Sequence, residues 1–196
     1  SSPRLRVGFY LTPPKAAVAD AAVGAGATLV NDVSASLHEV AAAHRVGFVA
    51  MHMLGDPRTM QRDPTYVDIV TEVEDFLVER ASVARDAGVA EVWIDPGIGF
   101  GKTTEHNLAL LAGLDRLVAT GFPVLVATSR KRFLGQLLAR ADGSEAIVPT
   151  DDRIEGSVAS AVWCYAAGAA MVRAHDVAAT AVAAAAGHRR SAPPPP

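Results

Sequence analysis

The sequence predicts an α/β fold built around a parallel β-sheet, on the basis of three observations. β-rich runs alternate with alanine-rich helical runs six times along the 196 residues. The β-runs are apolar nearly throughout, which is typical of strands covered on both faces of a parallel sheet. Polar, chemically capable residues follow nearly every β-run. This even distribution favours a (β/α)₈ TIM-barrel type, incomplete with six recognisable βα units, over an open doubly wound sheet.

The alternation continues along the chain without a linker to a second domain. The predicted strands lie at 6–11, 28–33, 47–53, 91–95, 123–128 and 170–174. The predicted helices lie at 14–26, 37–44, 66–87, 105–119, 131–139 together with 155–167, and 177–187. We therefore expect residues 1–188 to form a single domain, followed by a disordered proline-rich tail at 189–196.

The composition argues against several classes of protein. The net charge of −3 disfavours a nucleic-acid partner, because such binders usually show a basic balance. The one cysteine, Cys164, excludes an intramolecular disulfide and fits a reducing compartment, and its apolar neighbours predict a small core residue. We find neither a signal-peptide pattern nor a membrane-spanning run, and we expect a cytoplasmic protein with no membrane partner.

Polar side chains at the ends of two predicted strands suit a heterocyclic ligand. Asp95 ends the apolar run VWID. A carboxylate at that depth is costly unless it is hydrogen-bonded, so it either accepts adjacent N–H donors of a heterocycle or caps the following turn. Asn31 ends the run TLVN, and its amide offers a donor and an acceptor, although asparagine is also common in turns. The neighbouring Asp32 points the other way along the strand and is expected to tie down the loop.

Two other strand ends carry cations that suit a phosphate or diphosphate. Arg130 and Lys131 follow PVLVATS, where the N-terminus of the next helix adds positive charge; the alternative is a solvated basic helix start. Arg173 and His175 follow the last strand, and alternation aims both side chains the same way. Barrels often bind phosphate at the ends of their last two strands, where Lys131 and Arg173 fall.

The segment WIDPGIGFGKTTEHN, residues 93–107, raises the question of a nucleotide site. A phosphate-binding P-loop has the pattern G-x-x-x-x-G-K-[ST] between a strand and a helix, and Gly101, Lys102 and Thr103 would supply its second half. Pro96 stands where the first glycine is required. The segment is therefore either a nucleotide site with one wrong residue or a different kind of site at a strand end.

The run AMHML contains residues whose spacing alone leaves their roles open. Met51 either lines an apolar slot for a flat ring or packs in the core. His52 is expected to be a hydrogen-bonded structural residue, because no H-x-x-x-H or H-x-H partner completes a metal set. We predict no metal ligand on this chain.

Five segments, in the same order, resemble the dihydropteroate synthase family along nearly the whole chain. They are NDVS (31–34), MHMLGDPRTMQ (51–61), DPGIGFGKT (95–103), TSRKRFLG (128–135) and RAHDV (173–177). The resemblance implies a (β/α)₈ barrel, usually a homodimer, that acts in folate biosynthesis. Its enzymes condense 6-hydroxymethyl-dihydropterin diphosphate with p-aminobenzoate and release diphosphate, which Mg²⁺ helps to bind. On this resemblance the segment 95–102 is a pterin-binding strand end and not a damaged P-loop.

The resemblance also implies which residues surround the pterin. Asn31 and Asp95 would hold its hydrogen-bonding edge, and Met51 and Phe100 would line the apolar walls of the pocket. Lys131 would contact the pterin ring and the p-aminobenzoate side.

The last strand end would bind the diphosphate. Arg173 would stack on the pterin and, with His175, hold the diphosphate, with Ala174 between them in the same substrate-binding segment. Lys131 and Arg173 are the predicted catalytic residues. The implied mechanism is dissociative: diphosphate leaves with help from the cations, and the amine traps the resulting pterin cation, so catalysis is electrostatic and positional.

Two departures from the family pattern leave alternatives open. The family chain begins with two further βα units, and neither its N-x-T-P-D-S-F motif, whose asparagine binds the metal, nor the glycine-rich segment after it occurs here. Thr12 stands where the family has a pterin-binding aspartate. One alternative is a catalytically impaired relative or fragment that binds pterin or serves as a partner subunit. Another is a methyltetrahydrofolate-type pterin methyltransferase, against which the diphosphate-suited TSRKRF and RAHD segments argue.

Overall fold

The computed structural model describes residues 10–11 and 16–188, and within this part of the chain all strand pairings are parallel. Strands β1 to β4 form one sheet in the order β1-β2-β3-β4, β5 pairs with β6, and a parallel bridge between Ile94 and Val124 joins β4 to β5. The strands are β1 (Tyr10–Leu11), β2 (Leu29–Asp32), β3 (Gly47–Met51), β4 (Val92–Asp95), β5 (Leu125–Val126) and β6 (Met171–Val172). The predicted α/β fold with a parallel sheet is confirmed.

The connecting helices lie close to their predicted positions. They are α1 (Ala16–Gly24), α2 (His38–His44), α3 (Ile69–Asp86), α4 (Thr104–Ala112), α5 (Leu114–Ala119), α6 (Arg132–Ala141), α7 (Ile154–Ala166) and α8 (Val177–His188), with a short 3₁₀ helix at Thr150–Asp152. One prediction was wrong in detail, because the helix expected at 105–119 is broken at Gly113. A Cβ at Gly113 would lie 3.0 Å from Cγ1 of Val70, so glycine lets α3 pack closely at the break.

The order of the strands narrows the possible topologies. All six strands lie side by side in chain order. In a doubly wound sheet the order of the strands reverses at a switch point. Because parallel crossovers are right-handed, chain order places the connecting helices on one face of the sheet. Among the described strands no pairing joins β1 to β6, so the barrel prediction is not confirmed. Most of the strand expected at 6–11, Thr12 and the tail at 189–196 lie outside the described residues.

The sheet has two different apolar faces. Val30, Phe48 and Ile94 belong to the large core that includes the buried residues of α3, such as Leu77. The opposite face carries a smaller cluster with Leu29, Val49 and Leu125 buried and Trp93 and Met171 packed against them. Side chains alternate between faces along a strand, so the residues that follow this smaller cluster at the strand ends share its face.

Two local predictions are confirmed by contacts within the core. The Asp32 carboxylate is fully buried and accepts the backbone N–H groups of Ser34, Ser36 and Leu37 at 2.8, 2.5 and 2.6 Å, so it ties down the loop after β2. Cys164 is also fully buried, and burial raises the pKa of its thiol to about 12. No helix in the described part of the chain is long and apolar enough to cross a membrane.

Candidate active site

Three predicted site residues end neighbouring strands on one face of the sheet. The register pairs Asn31 with Val49 and Met51 with Asp95. Because side chains alternate between faces along a strand, those of Asn31, Met51 and Asp95 lie on the same face of the sheet. All three are buried, with exposed fractions of 4% for Asn31, 3% for Met51 and 2% for Asp95. Two polar groups and a thioether therefore lie together at the carboxyl ends of β2, β3 and β4, where ligands bind in parallel α/β folds.

The side chain of Asn31 carries a buried hydrogen-bond acceptor that has no donor among the described residues. This acceptor is Oδ1 of the amide. A buried carbonyl oxygen without a donor costs about 1–3 kcal/mol, so such an atom at a strand end is well suited to accept from a ligand. The turn interpretation of Asn31 does not explain this orphaned acceptor.

Asp95 makes a hydrogen bond within its own turn through one of its two carboxylate oxygens. One carboxylate oxygen, Oδ1, accepts the N–H of Gly97 at 2.8 Å, which fits the expected turn cap. No protein hydrogen bond to Oδ2 is found in the part of the chain that the structure describes. Burial raises the pKa of Asp95, while Lys131, the Gly97 N–H, Arg173 and Lys102 act in the opposite direction. These opposing effects place three cationic side chains within electrostatic range of one carboxylate.

Lys131 lies after β5, the strand next to β4, and borders the site there. It is the residue immediately before α6, and its Nζ lies 4.6 Å from the centroid of the Phe100 ring and donates to the carbonyl oxygen of Ile98. Burial lowers the pKa of Lys131 to about 8; Asp95 raises it and Arg173 lowers it further. The Phe100 ring and the Lys131 ammonium thus form one wall.

The last strand end carries the remaining predicted residues. The backbone N–H of Arg173 donates to the Val126 carbonyl oxygen at 2.9 Å, so the ladder of β5 and β6 continues to Arg173. The side chains of Arg173 and His175 are exposed, and Ala174 between them is half-buried. Ser129 Oγ accepts the backbone N–H of His175 at 3.1 Å and contacts its Nδ1 at 3.0 Å. These contacts hold the ends of β5 and β6 together.

The pairing of Arg130 with Lys131 as two anion-binding cations was wrong. Arg130 donates from Nη2 and Nε to Asp176 at 2.9 and 3.2 Å, and from Nη1 to Asp151 at 3.2 Å. Arg130 adopts φ of 60°, an unusual conformation for a side-chain-bearing residue. Its guanidinium is thus occupied by carboxylates and links the loop after β5 to the loop after β6.

Lys102 and His52 form a buried contact near the site that the sequence did not reveal. Lys102, which stands where the incomplete P-loop pattern has its lysine, is 3% exposed, and its Nζ lies 2.9 Å from Nδ1 of His52. Burial and Lys102 lower the pKa of His52 to about 3, so the imidazole is neutral and Nδ1 accepts. The expectation of a hydrogen-bonded structural His52 is confirmed, whereas its partner, 50 positions away in the chain, had no sequence signal.

A cavity adjoins the wall formed by Phe100 and Lys131. Its volume is about 640 Å³, a usual size for a small-molecule site. Residues of three loops and of helices α4 and α6 line it, among them Met60, Gln61, Phe100, Lys131, Arg132 and Gln136. Gln61 Nε2 donates to the Gly99 carbonyl oxygen at 2.6 Å and joins two of these loops.

The described residues do not fit a resident metal ion. No group of three or more His, Cys, Asp or Glu side chains in this part of the chain is arranged to hold one. The single carboxylate of the site, Asp95, lies among Lys131, Arg173 and Lys102, a charge balance that favours an anion.

Comparison with known families identifies the class of protein. The family model described as "Pterin binding enzyme" matches residues 13–175. The chain therefore belongs to the family of pterin-binding enzymes.

The relatives within that class are dihydropteroate synthases. The enzyme of Synechocystis sp. (strain ATCC 27184 / PCC 6803 / Kazusa) is 41% identical over 184 residues, covering 90% of this chain and 61% of the relative. That of Mycobacterium leprae (strain TN) is 43% identical over 174 residues, covering 85% of this chain and 61% of the relative. The chain thus spans about three fifths of the length of these curated relatives.

Solved structures show the same similarity. The dihydropteroate synthase from Thermus thermophilus in complex with 6HMPPP superposes with a TM-score of 0.85 at 42% identity, over 93% of this chain and 72% of that one. The enzyme from Stenotrophomonas maltophilia with active site-bound imidazole gives a TM-score of 0.86 at 42% identity, over 99% of this chain and 73% of that one.

Proposed function

We propose that this chain acts as a dihydropteroate synthase-type transferase in folate biosynthesis. It condenses 6-hydroxymethyl-dihydropterin diphosphate with p-aminobenzoate and releases diphosphate. The observation that carries the proposal is the orphaned, buried Oδ1 of Asn31 on the same sheet face as Asp95, with Lys131 and Arg173 in electrostatic range of that carboxylate. Solved relatives bound to 6HMPPP and to 4-aminobenzoate support the choice of substrates.

Different residues of the site bind the pterin and the diphosphate of the substrate. Asn31 and the free oxygen of Asp95 take the N–H and acceptor pattern of the pterin edge, and Met51 contacts the flat ring. On the opposite side Arg173 and His175 bind the diphosphate, for which a guanidinium is well suited. The cavity beside Phe100 and Lys131 is our proposed place for p-aminobenzoate.

In the proposed reaction the C–O bond between the pterin methylene and the diphosphate breaks. Its electron pair leaves with the diphosphate, whose developing charge Lys131 and Arg173 stabilise. The amine nitrogen of p-aminobenzoate then forms the C–N bond and gives a proton to the released diphosphate or to water. Asp95 favours the cationic pterin because a nearby carboxylate stabilises positive charge. Catalysis by this site is positional and electrostatic and uses no side-chain nucleophile.

We also propose that Mg²⁺ accompanies the diphosphate. Mg²⁺ in proteins is commonly held by one or two carboxylates together with substrate phosphates, so its oxygens come largely from the ligand. No step above depends on it. Calorimetric titration of diphosphate with and without Mg²⁺ tests the proposal, since equal affinity in both would contradict it.

The assembly we propose is a cytoplasmic homodimer of one-domain subunits spanning residues 1–188, each a (β/α)₈-type barrel that is incomplete, with six recognisable βα units. Helix α8 supports the dimer, because it has no charged residue between Val177 and Ala186 and its Val182 is 73% exposed. On the neighbouring helix α7, Trp163 is 58% exposed. A helix that is apolar on all sides is normally buried. A second subunit that covered the surface of α7 and α8 would bury helix α8.

The first test of the function is calorimetric titration with the pterin diphosphate, followed by product formation with p-aminobenzoate. We expect Asp95→Ala to weaken binding by about tenfold to a hundredfold, because a charged acceptor contributes about 1.5–3 kcal/mol. Asp115→Ala, which removes an exposed carboxylate on α5, is the matched control and should bind normally. Equal affinity of the wild type and the Asp95 variant would contradict the proposed pterin site.

The same titration distinguishes a second candidate, a pterin-binding member without turnover. The observation in its favour is that Thr12 stands where the family has a pterin-binding aspartate. Binding of the pterin diphosphate with no product after prolonged incubation with p-aminobenzoate would establish this candidate instead.

A further inference from the structure

Lys102 makes an unusual set of contacts for a lysine beside an anion site. Its Nζ donates to the carbonyl oxygens of Gly97 at 3.1 Å and Phe100 at 3.0 Å, and it lies 2.9 Å from Nδ1 of His52. Burial lowers the pKa of Lys102 to about 7, while Asp95 raises it and Lys131 lowers it. When the amino group is protonated, its three N–H bonds are used on these partners. A P-loop lysine reaches a phosphate, but this one is 3% exposed and is turned onto backbone carbonyls. Its Nζ is therefore occupied by groups of the chain itself, although Lys102 also lines the cavity beside Phe100.

The two carbonyls belong to the loop that carries the pterin-binding residues. Gly97 donates its N–H to Oδ1 of Asp95 at 2.8 Å, so the residue that Lys102 holds through its oxygen also fixes Asp95 through its nitrogen. At the other end of the loop, Lys102 holds the carbonyl of Phe100, whose ring lies 4.6 Å from Nζ of Lys131. One buried ammonium thus fixes both sides of the loop 96–102.

His52 anchors this ammonium to the neighbouring strand. The imidazole follows β3 and packs against the Phe76 ring at a centroid distance of 5.1 Å and the Tyr66 ring at 6.1 Å. It is 7% exposed, and its Nδ1 faces Lys102. Because the ring is fixed by packing, the ammonium, and through it the loop after β4, is fixed relative to the end of β3.

We propose that Lys102 is a positioning residue for the pterin, with His52 as its anchor. Its ammonium group holds the loop 96–102 in the conformation that presents Asp95 and Phe100 to the ligand. The proposal rests on the proposed function for the identity of the ligand. The contacts that carry it are those of the chain itself.

The principal test replaces Lys102 by methionine, which keeps the length of the side chain and removes its donors. The carbonyl oxygens of Gly97 and Phe100 then lose their shared donor, and we expect affinity for the pterin diphosphate to fall by about tenfold or more. Binding of inorganic diphosphate, which depends on the loops of Arg173 and His175, should change by less than about twofold, because additivity holds for independent sites. A general loss of structure would weaken both ligands equally, and that outcome would overturn the proposal.

A matched pair of variants tests the anchor. His52→Asn keeps an acceptor close to the position of Nδ1, whereas His52→Leu keeps an apolar side chain without one. We expect the asparagine variant to retain more pterin affinity than the leucine variant at temperatures well below the melting transition of both. The reverse order, or equal affinity, would show that packing rather than the acceptor matters and would overturn the role of His52.

A ligand-free measurement separates this proposal from the proposed function. The Phe100 N–H donates to the Gly97 carbonyl oxygen at 3.0 Å, and the Gly99 N–H donates to Asn107 Oδ1 at 2.7 Å. Hydrogen exchange at these two amides should be faster in Lys102→Met than in the wild type, with helix α3 unchanged. Unchanged exchange at the loop would overturn the proposal, whereas failure of the wild type to bind pterin would contradict only the proposed function.

Discussion

At the scale of single residues, the ionisation of Lys131 connects the structure of the site with its expected pH dependence. Its ammonium contacts the Ile98 carbonyl and the Phe100 ring, and burial is the main cause that lowers its pKa to about 8. The charge that the proposed mechanism requires is therefore present below this pH and lost above it. An ordinary lysine would remain charged to about pH 10.4.

We therefore expect kcat/KM for the pterin diphosphate to fall as the pH rises through about 8. This ratio reports ionisation of the free enzyme, which is the state that the structure describes. In Lys131→Arg the guanidinium stays charged, so the fall near pH 8 should disappear even where the overall rate is lower. A wild-type profile that stays flat to about pH 9.5 would contradict the assignment of Lys131.

At the scale of elements, the loop between β4 and α4 depends on backbone that only glycine can supply. Gly97 has φ of 63°, and a Cβ there would overlap the carbonyl oxygen of His52. Two loops thus meet backbone to backbone where the pterin edge is proposed to bind. Glycine at position 97 therefore meets a requirement of the backbone where the two loops meet.

We expect Gly97→Ala to destabilise the chain by about 3 kcal/mol or more, because strain at positive φ and a steric clash act together. Gly88→Ala is the matched control, since Gly88 also has positive φ, at 91°, but a Cβ there would meet no atom within 4 Å. The control should cost only about 1–2 kcal/mol. Denaturant unfolding measures both, and equal losses would show that the backbone contact with His52 is unimportant.

At the scale of the whole molecule, helices α7 and α8 expose large apolar side chains that the subunit itself does not cover. Among the large apolar side chains that are exposed, Trp163, Val177 and Val182 all lie on these two helices. In a chain with a net charge of −3, such an apolar surface is costly unless a partner covers it. The proposed homodimer provides that partner.

We expect Val182→Asp to shift the chain from dimer to monomer in sedimentation analysis, because it places a charge within the proposed interface. Val67→Asp is the control, since Val67 is fully exposed in the loop before α3 and lies outside helices α7 and α8. Its dimer should form normally. A wild-type chain that sediments as a monomer at all concentrations would contradict the proposed interface.

The sequence by itself determined the alternation of strands and helices, and it placed Asn31, Met51 and Asp95 at strand ends. These features are local: apolar runs buried on both faces form parallel strands, and the residue that ends such a run lies at the ligand-binding edge. For that reason the strand ends could be predicted. The burial of Cys164 followed from its apolar neighbours, and the role of Asp32 followed from its position next to Asn31 on the strand. The roles assigned to the site residues toward substrate remain predictions for the experiments above.

Only the tertiary structure decided what the cations do. Arg130 and Lys131 are neighbours in the chain, yet Arg130 is bound by Asp176, 46 positions away, while Lys131 faces Asp95 and Phe100. Lys102 likewise meets His52 across 50 positions. Such pairings depend on which loops the sheet brings together, so no local pattern distinguishes an anion-binding cation from one that is already paired or turned onto backbone carbonyls.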